Sequence, residues 1–310
     1  MVITLLDFRQ FEVLRAIARE GSLAAAARAL HQSQPTIAHH LTTMESHFGA
    51  PLVQRGARGA ALTDVGRLVL PHVQAVLGRM TLMEQDARAL IEHRARVLRI
   101  GTFPTAGAQL LPPAVRKLAR QGVEVSLLEG ELHTLVEALG GGTLQTALLI
   151  SQPGQPLDLG EEFVLHALLD DPLELVLPTD HPLTEMDRVP LGLLREEGWI
   201  LGTTDWDPAD RVLIDACTRE GFEPTPVMRT DDLTLLKGFV AAGIGVALVP
   251  RLGMTGQETD LAVRPLDGLS LSRRIGLAML RTTVSSSAEK LLQALREQAR
   301  DIEARWGRKP

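Results

Sequence analysis

An α/β protein with an all-α, winged amino-terminal module is the fold class this sequence predicts: a winged helix-turn-helix, a long linker helix, then a two-lobed α/β domain. Three observations carry it. Residues 22–66 place a small-residue helix, a second helix with a polar face and an arginine-bearing strand pair in succession. Residues 63–90 hold one apolar stripe at spacings near 3.5 residues. From residue 97 onward, short apolar runs alternate with helical patterns.

The first helix starts at Asp7, which with Gln10 makes a capping pair. Phe8, Phe11, Leu14 and Ile17 then recur at helical spacing up to Gly21, a natural stop. Ser22 caps a second helix whose inward residues are Leu23, Ala26, Ala27 and Leu30, small enough for close helix approach. Ser33 caps a third, and Pro35 is tolerated in its first turn, where a missing donor costs nothing. Ile37, Leu41, Met44 and Phe48 are expected to form its buried stripe, with Gly49 ending it. At 100° per residue, Pro35, Thr36, His39 and Thr43 fall on the opposite face, the one offered to a major groove. Gln34 can pair with the N6 and N7 edge of adenine, while Ser33, Thr36 and His40 can hold phosphates. Residues 52–55 and 61–63 read as a two-stranded wing around the 56–59 turn, with Arg55 and Arg58 at its tip for a minor groove or phosphates.

Residues 11–66, from FEVLRAIAREGSLAAAARALHQ to LTDVG, resemble the headpiece of the LysR-type transcriptional regulators. The resemblance implies that Gln34, Pro35, Ala38 and His39 touch DNA from the recognition helix, with Arg55 in the wing. Where the family commonly carries serine and arginine, this chain has Ala38 and His39. A shifted base preference is therefore expected.

Composition bounds the rest. With 310 residues, two or three domains are expected; 45% hydrophobic and 23% charged residues are ordinary for a globular protein. No apolar run reaches the roughly 18 residues of a membrane span, and the start MVITLLDFRQ lacks a signal's basic and apolar regions. A cytoplasmic protein without membrane association is expected. Cys217 is the one cysteine, which excludes intrachain disulfides and multi-cysteine metal sites and reads as a small buried residue. Neither metal nor cofactor is expected. The net charge of -6 argues against indiscriminate coating of nucleic acid. Residues 1–66 carry six cations (Arg9, Arg15, Arg19, Arg28, Arg55, Arg58) against five anions (Asp7, Glu12, Glu20, Glu45, Asp64). Binding must therefore lean on helix N-termini, neutral donors and dimerisation.

The linker helix carries Val65, Val69, Val73, Val76, Met80, Met83, Ala87 and Leu90 as a dimerisation seam, with Pro71 expected to bend it. A two-fold dimer sets two recognition helices about one DNA turn apart. Residues 1–62 are read as the DNA-binding module, 63–94 as the linker and 95–310 as the third part.

In that third part, VLRIGTF, VEVSLLEG and TALLIS read as strands around two helices. FVLHALLDD, LELVLP, WILGTT, PVMRT and IGVALVP make a second set, and LAVRPLD, RRIGLAML and a helix from Ser286 to Trp306 close the chain. Parallel strands with crossover helices are expected. The region resembles the effector domain of the same regulators, similar to periplasmic binding proteins. The resemblance implies one lobe of 97–160 and 264–306 and another of 161–263. Ligands of open α/β sheets sit beyond strand carboxyl ends. That points to Thr102, Phe103, Pro104 and Thr105 after one strand and Gly202, Thr203 and Thr204 after another, with Glu129 and Met228 at further strand ends. Ordinary helix capping by Thr105 and a polar loop at 202–204 are the equal alternative.

The expected function is a sequence-specific transcriptional regulator that answers to a small-molecule effector between the lobes. Its expected partners are double-stranded promoter DNA, itself as homodimer or homotetramer, and RNA polymerase. The alternative is a ligand-binding protein whose amino-terminal module contacts proteins. An enzyme is not expected: Gly243 and Gly245 follow a helix and precede a strand, the reverse of a dinucleotide fingerprint. Nucleophile-elbow, zincin and phosphate-loop motifs are absent from the sequence. His39 and His40 are adjacent and do not share a helix face for metal.

Overall fold

The computed structural model describes residues 6–56, 59–91, 97–155, 157–204, 208–254, 259–281 and 286–307. Two compact units result, one of 1–101, 122–127 and 133–145, the other of 102–121, 128–132 and 146–310.

The first unit opens with α1 (Phe8–Glu20), α2 (Leu23–Ala29) and α3 (Gln34–Phe48). Asp7 and Gln10 form a complete capping box, and Gly21 ends α1 at φ 70°, its N–H donating to the Ile17 carbonyl. Ser22 and Ser33 accept from Ala25 and Thr36 N–H, so both predicted caps are made. Leu14, Ile17, Ala26, Ile37, Leu41 and Met44 fuse the three helices into one core. Two expected members are missing from it. Phe8 and Phe48 are exposed, at 36% and 39%. Each lies at a helix terminus, and the Phe48 ring stands edge-to-face with that of His47, 5.3 Å between centres.

The wing is β1 (Val53–Gly56) paired antiparallel with β2 (Gly59–Leu62). Glu45 of α3 accepts from the N–H groups of Leu52 and Val53 at 2.9 and 3.2 Å, which fixes the wing to the third helix. The Ala60 N–H donates to the Gly21 carbonyl at 2.7 Å, tying the other strand to the end of α1.

Helix α4 (Asp64–Ile91) follows at once. Thr63 caps it, accepting from Gly66 N–H and donating to the Pro51 carbonyl. A Cβ at Gly66 would overlap the Leu52 carbonyl, so the close packing of this first turn requires glycine. The helix runs unbroken through Pro71. The expected seam divides. Val73 is buried and Val69 half-buried in the unit's own core, beside Leu77 and Leu70, so these two valines are not available to a partner. Val65, Val76, Met83 and Ala87 are exposed and Met80 is half-buried; the Leu90 side chain lies outside the described residues. One helix carries two apolar faces, and a single heptad reading merges them.

The chain continues with β3 (Val97–Thr102), α5 (Pro104–Gln109), α6 (Leu111–Ala119), β4 (Glu124–Glu129), α7 (Leu132–Gly140), β5 (Thr146–Ser151), β6 (Phe163–Pro178), β7 (Gly198–Leu201), α8 (Pro208–Arg219), β8 (Thr225–Arg229), α9 (Leu233–Ala241), β9 (Ala247–Pro250), β10 (Leu261–Arg264), β11 (Ser272–Leu280) and α10 (Ser286–Gly307). In the second unit β11 pairs antiparallel with β5 and with β6. Farther along, β6 pairs antiparallel with β9 and β10. The β7–β8 pair is parallel. The expectation of parallel strands is thus corrected for most of the described registers.

A second correction concerns β6. FVLHALLDD and LELVLP form one 16-residue strand. Asp170, Asp171 and Pro172 read as a break, yet they pair with Arg274, Arg273 and Ser272 next to a bulge at Ile275/Gly276. Long-range arginine partners satisfy both aspartates and carry the strand through. The first half of β6 therefore lies beside β11, which carries β5 on its other edge, and the second half beside β9 and β10. Among the described residues no helix is long and apolar enough to cross a membrane.

Candidate functional site

Helix α3 presents one polar face. Ser33, Gln34, Pro35, Thr36 and His39 are exposed, while Ile37, Leu41 and Met44 anchor the helix beneath at 0–1% exposure. The Ser33 and Thr36 hydroxyls share a hydrogen bond of 2.7 Å, so the cap is preorganised. Its first turn holds no acidic residue, which leaves the positive end of the helix available to an anion. The Thr43 hydroxyl donates to the His39 carbonyl at 2.9 Å, leaving acceptor capacity only. The imidazoles of His39 and His40 lie 5.9 Å apart with His40 half-buried. Ala38 is half-buried against the core rather than on the outer face. Arg58 and the Arg55 side chain lie outside the described residues.

The second unit holds a cleft of about 540 Å³. It brings together Phe103, Pro104, Thr105, Glu129 and Gly202 of the expected residues. Thr203 sits at its margin, its N–H donating to Asp231 at 3.0 Å and its hydroxyl bonding the same carboxylate. Three further expected residues lie outside its lining. Thr102 is buried with its hydroxyl turned to the Phe103 carbonyl, Met228 packs against the core of Val176, Ile200 and Leu236, and Thr204 is exposed; none lines the cleft.

What the sequence reading missed is the floor. Arg273, 5% exposed, lines the cleft from β11 and bonds the Asp171 carboxylate at 2.9–3.0 Å and the Thr105 hydroxyl at 2.6 Å. Its guanidinium lies 5.3 Å from the Phe103 ring centre. Asp171 also accepts from Leu252 N–H at 3.0 Å. Burial pushes the Asp171 carboxyl up, against the pull of Arg273 and the amides of Leu252 and Arg251. Asp210, Asp231 and Asp232 line the rim. Asp210 accepts from Gly202 N–H at 2.7 Å, and Asp232 caps α9 through the N–H groups of Thr234 and Leu235. Those two hydrogen bonds hold the Asp232 carboxyl below its usual range. The Asp-Asp run after a strand was the available signal.

Residues 8–67 match the family described as bacterial regulatory helix-turn-helix protein, lysR family, and residues 92–300 match the LysR substrate binding domain. The chain belongs to the LysR family of DNA-binding transcriptional regulators. It is 30% identical over 304 residues to the small neutral protease regulatory protein of Streptomyces lividans, covering 96% of this chain and 85% of that one. It is 30% identical over 268 residues to a probable cat1 operon transcriptional activator of Acinetobacter lwoffii, covering 85% and 86%. LysR regulators also supply its structural likeness. CbnR gives a TM-score of 0.65 at 22% identity over 94% of this chain and 99% of that one. An OxyR variant from Pseudomonas aeruginosa gives 0.64 at 23% over 94% and 98%. The helix-turn-helix and the two-lobed α/β fold are those of this family, and the relatives are regulators rather than enzymes.

Proposed function

We propose that this LysR-family chain reads promoter DNA with the outer face of α3 and adjusts that reading to a small molecule held in the second unit's cleft. The observation that carries the first half is the exposed set Gln34, Pro35, Thr36 and His39 above a fully buried Ile37–Leu41–Met44 base. Gln34 is assigned to a base edge, Ser33, Thr36 and His40 to phosphates, Thr43 to the groove wall, and Arg55 and Arg58 to the wing. A CbnR structure of the same fold, at a TM-score of 0.63, was solved with its target DNA, which supports DNA as the partner.

The chain works as a homodimer or homotetramer through the exposed side of α4, in the cytoplasm, with RNA polymerase as a further partner. Residues 1–62, 63–94 and 95–310 serve as reader, linker and effector domain, the last with one lobe of 97–160 and 264–306 and another of 161–263. The cat1 operon activator and the protease regulator among its relatives support control of transcription. A net charge of -6 concentrates the binding at the amino-terminal module.

The test is fluorescence anisotropy of the full chain on its own upstream DNA across a salt series. Affinity falls steeply with salt, and Gln34→Ala costs about 1–3 kcal/mol of sequence discrimination. A flat salt response overturns the DNA assignment in favour of a protein-contact module. His39→Arg shifts the preferred operator; an unchanged preference removes His39 from the readout.

A further inference from the structure

We propose that the cleft's ligand is an organic cation: an ammonium or guanidinium group on a small apolar body. This rests on reading the cleft as the effector site. Three lining carboxylates, Glu129, Asp231 and Asp232, form no ion pair among the described residues. Asp231 is met by the amide and hydroxyl of Thr203, and Asp232 by two amides of α9. Neutral donors of this kind fix a carboxylate in place and leave its charge uncancelled. Asp210 and Glu131 line the same space.

Opposing them, Arg273 is the one cationic side chain among the described lining residues, and its charge is already taken by the buried Asp171 at 2.9 Å. Arg229 reaches the Gly202 carbonyl from outside the lining. The field inside is therefore negative, and partly enclosed walls of Phe103, Pro104, Ile150 and Leu248 focus it by excluding water. A carboxylate entering here meets like charge without a free cation to receive it. A cation meets fixed acceptors at the rim and an apolar wall for its body. At about 540 Å³ the space suits a small organic molecule. A bare metal ion does not fit, because among the described residues no three acids, histidines or cysteines are grouped to ligate one.

The experiment uses the full chain and two pairs of probes matched in shape and opposite in charge, benzylamine against benzoate and 1,4-diaminobutane against succinate, at fixed ionic strength. Thermal shift and calorimetric titration give the readout. At least one ammonium probe raises Tm in a concentration-dependent way, and the D231N/D232N double variant, which keeps the hydrogen-bonding shape, weakens its Kd by roughly tenfold or more. Stabilisation by benzoate or succinate in place of the amines overturns the charge class, as does an amine shift that survives D231N/D232N or the absence of any amine shift. The cavity-filling variant Ile150→Trp separates the two levels. If it abolishes stabilisation by a carboxylate, the cleft remains the effector site and only the cation assignment fails; if probe binding of either charge persists in it, the cleft reading fails as well.

Discussion

Cys217 illustrates how far one residue's surroundings limit its chemistry. A lone cysteine invites a redox reading. The thiol is fully buried among Leu213, Ala216 and Trp199, and burial pushes its pKa up to about 11. A thiol that stays protonated at neutral pH is a poor nucleophile. We expect no alkylation of the native protein by iodoacetamide at pH 8 and full alkylation in urea, read by mass spectrometry. Native-state labelling within minutes would return Cys217 to the list of sensors. Arg273 and Asp171 make the complementary case, because a buried ion pair is costly to break from one side only. Asp171→Asn leaves a guanidinium at 5% exposure without its counter-charge, and a loss of about 3–5 kcal/mol is expected in the second unit's unfolding free energy by urea denaturation. A loss under 1 kcal/mol would mean that Thr105 and Phe103 hold Arg273 adequately alone.

Helix α4 shows the same division of labour along an element. Leu77 is 2% exposed in the first unit's core, whereas Met83 stands 61% exposed six residues on. Leu77→Ala should therefore destabilise that unit by about 2–5 kcal/mol, while Met83→Glu leaves its stability within about 0.5 kcal/mol and lowers the assembly state seen by sedimentation. Reversed outcomes would exchange the two faces. The helix was legible in the sequence because its apolar residues recur over 28 residues. Its two faces were not, because a one-dimensional period does not say which stripe the same chain covers. Local signals also placed α1, α2 and α3, whose serine and aspartate caps, with the stop glycines of α1 and α3, need only three or four neighbouring residues. They failed at β6, where Asp170 and Asp171 are held by arginines more than 100 residues away. The cleft followed the same rule: Phe103, Thr105 and Gly202 sit at strand ends that sequence can locate, but Arg273 is brought there by the pairing of β11 with Asp171, 102 residues away.

Across the second unit, charge pairs link segments far apart in the chain, and this gives its stability a direction in pH. Arg274 hydrogen-bonds Asp170 at 2.7 and 2.9 Å between β11 and β6, and Lys117 bonds Glu297 at 2.6 Å between α6 and α10. Both carboxyls are held below their ordinary range, chiefly by those side-chain hydrogen bonds. A depressed native pKa means that the unfolded chain binds protons first as pH falls, so the stabilisation is present above the ordinary carboxylate range and lost as pH drops through the native value. Asp171 runs the other way: burial raises its carboxyl, so its share weakens as pH climbs from the unfolded value towards the native one. Both exposed pairs are screened by solvent, which keeps each contribution small. Urea midpoints followed by tryptophan fluorescence should be level above about pH 7 and fall on the acid side, first through His166, whose imidazole is held below its ordinary range by burial and Arg296, and then through the two depressed carboxyls. Asp170→Asn should make that acid limb shallower while leaving the neutral plateau slightly lower. An acid limb unchanged in Asp170→Asn would remove the Asp170–Arg274 pair from the pH response, and a midpoint that rises below pH 5 would show Asp171 outweighing the exposed pairs.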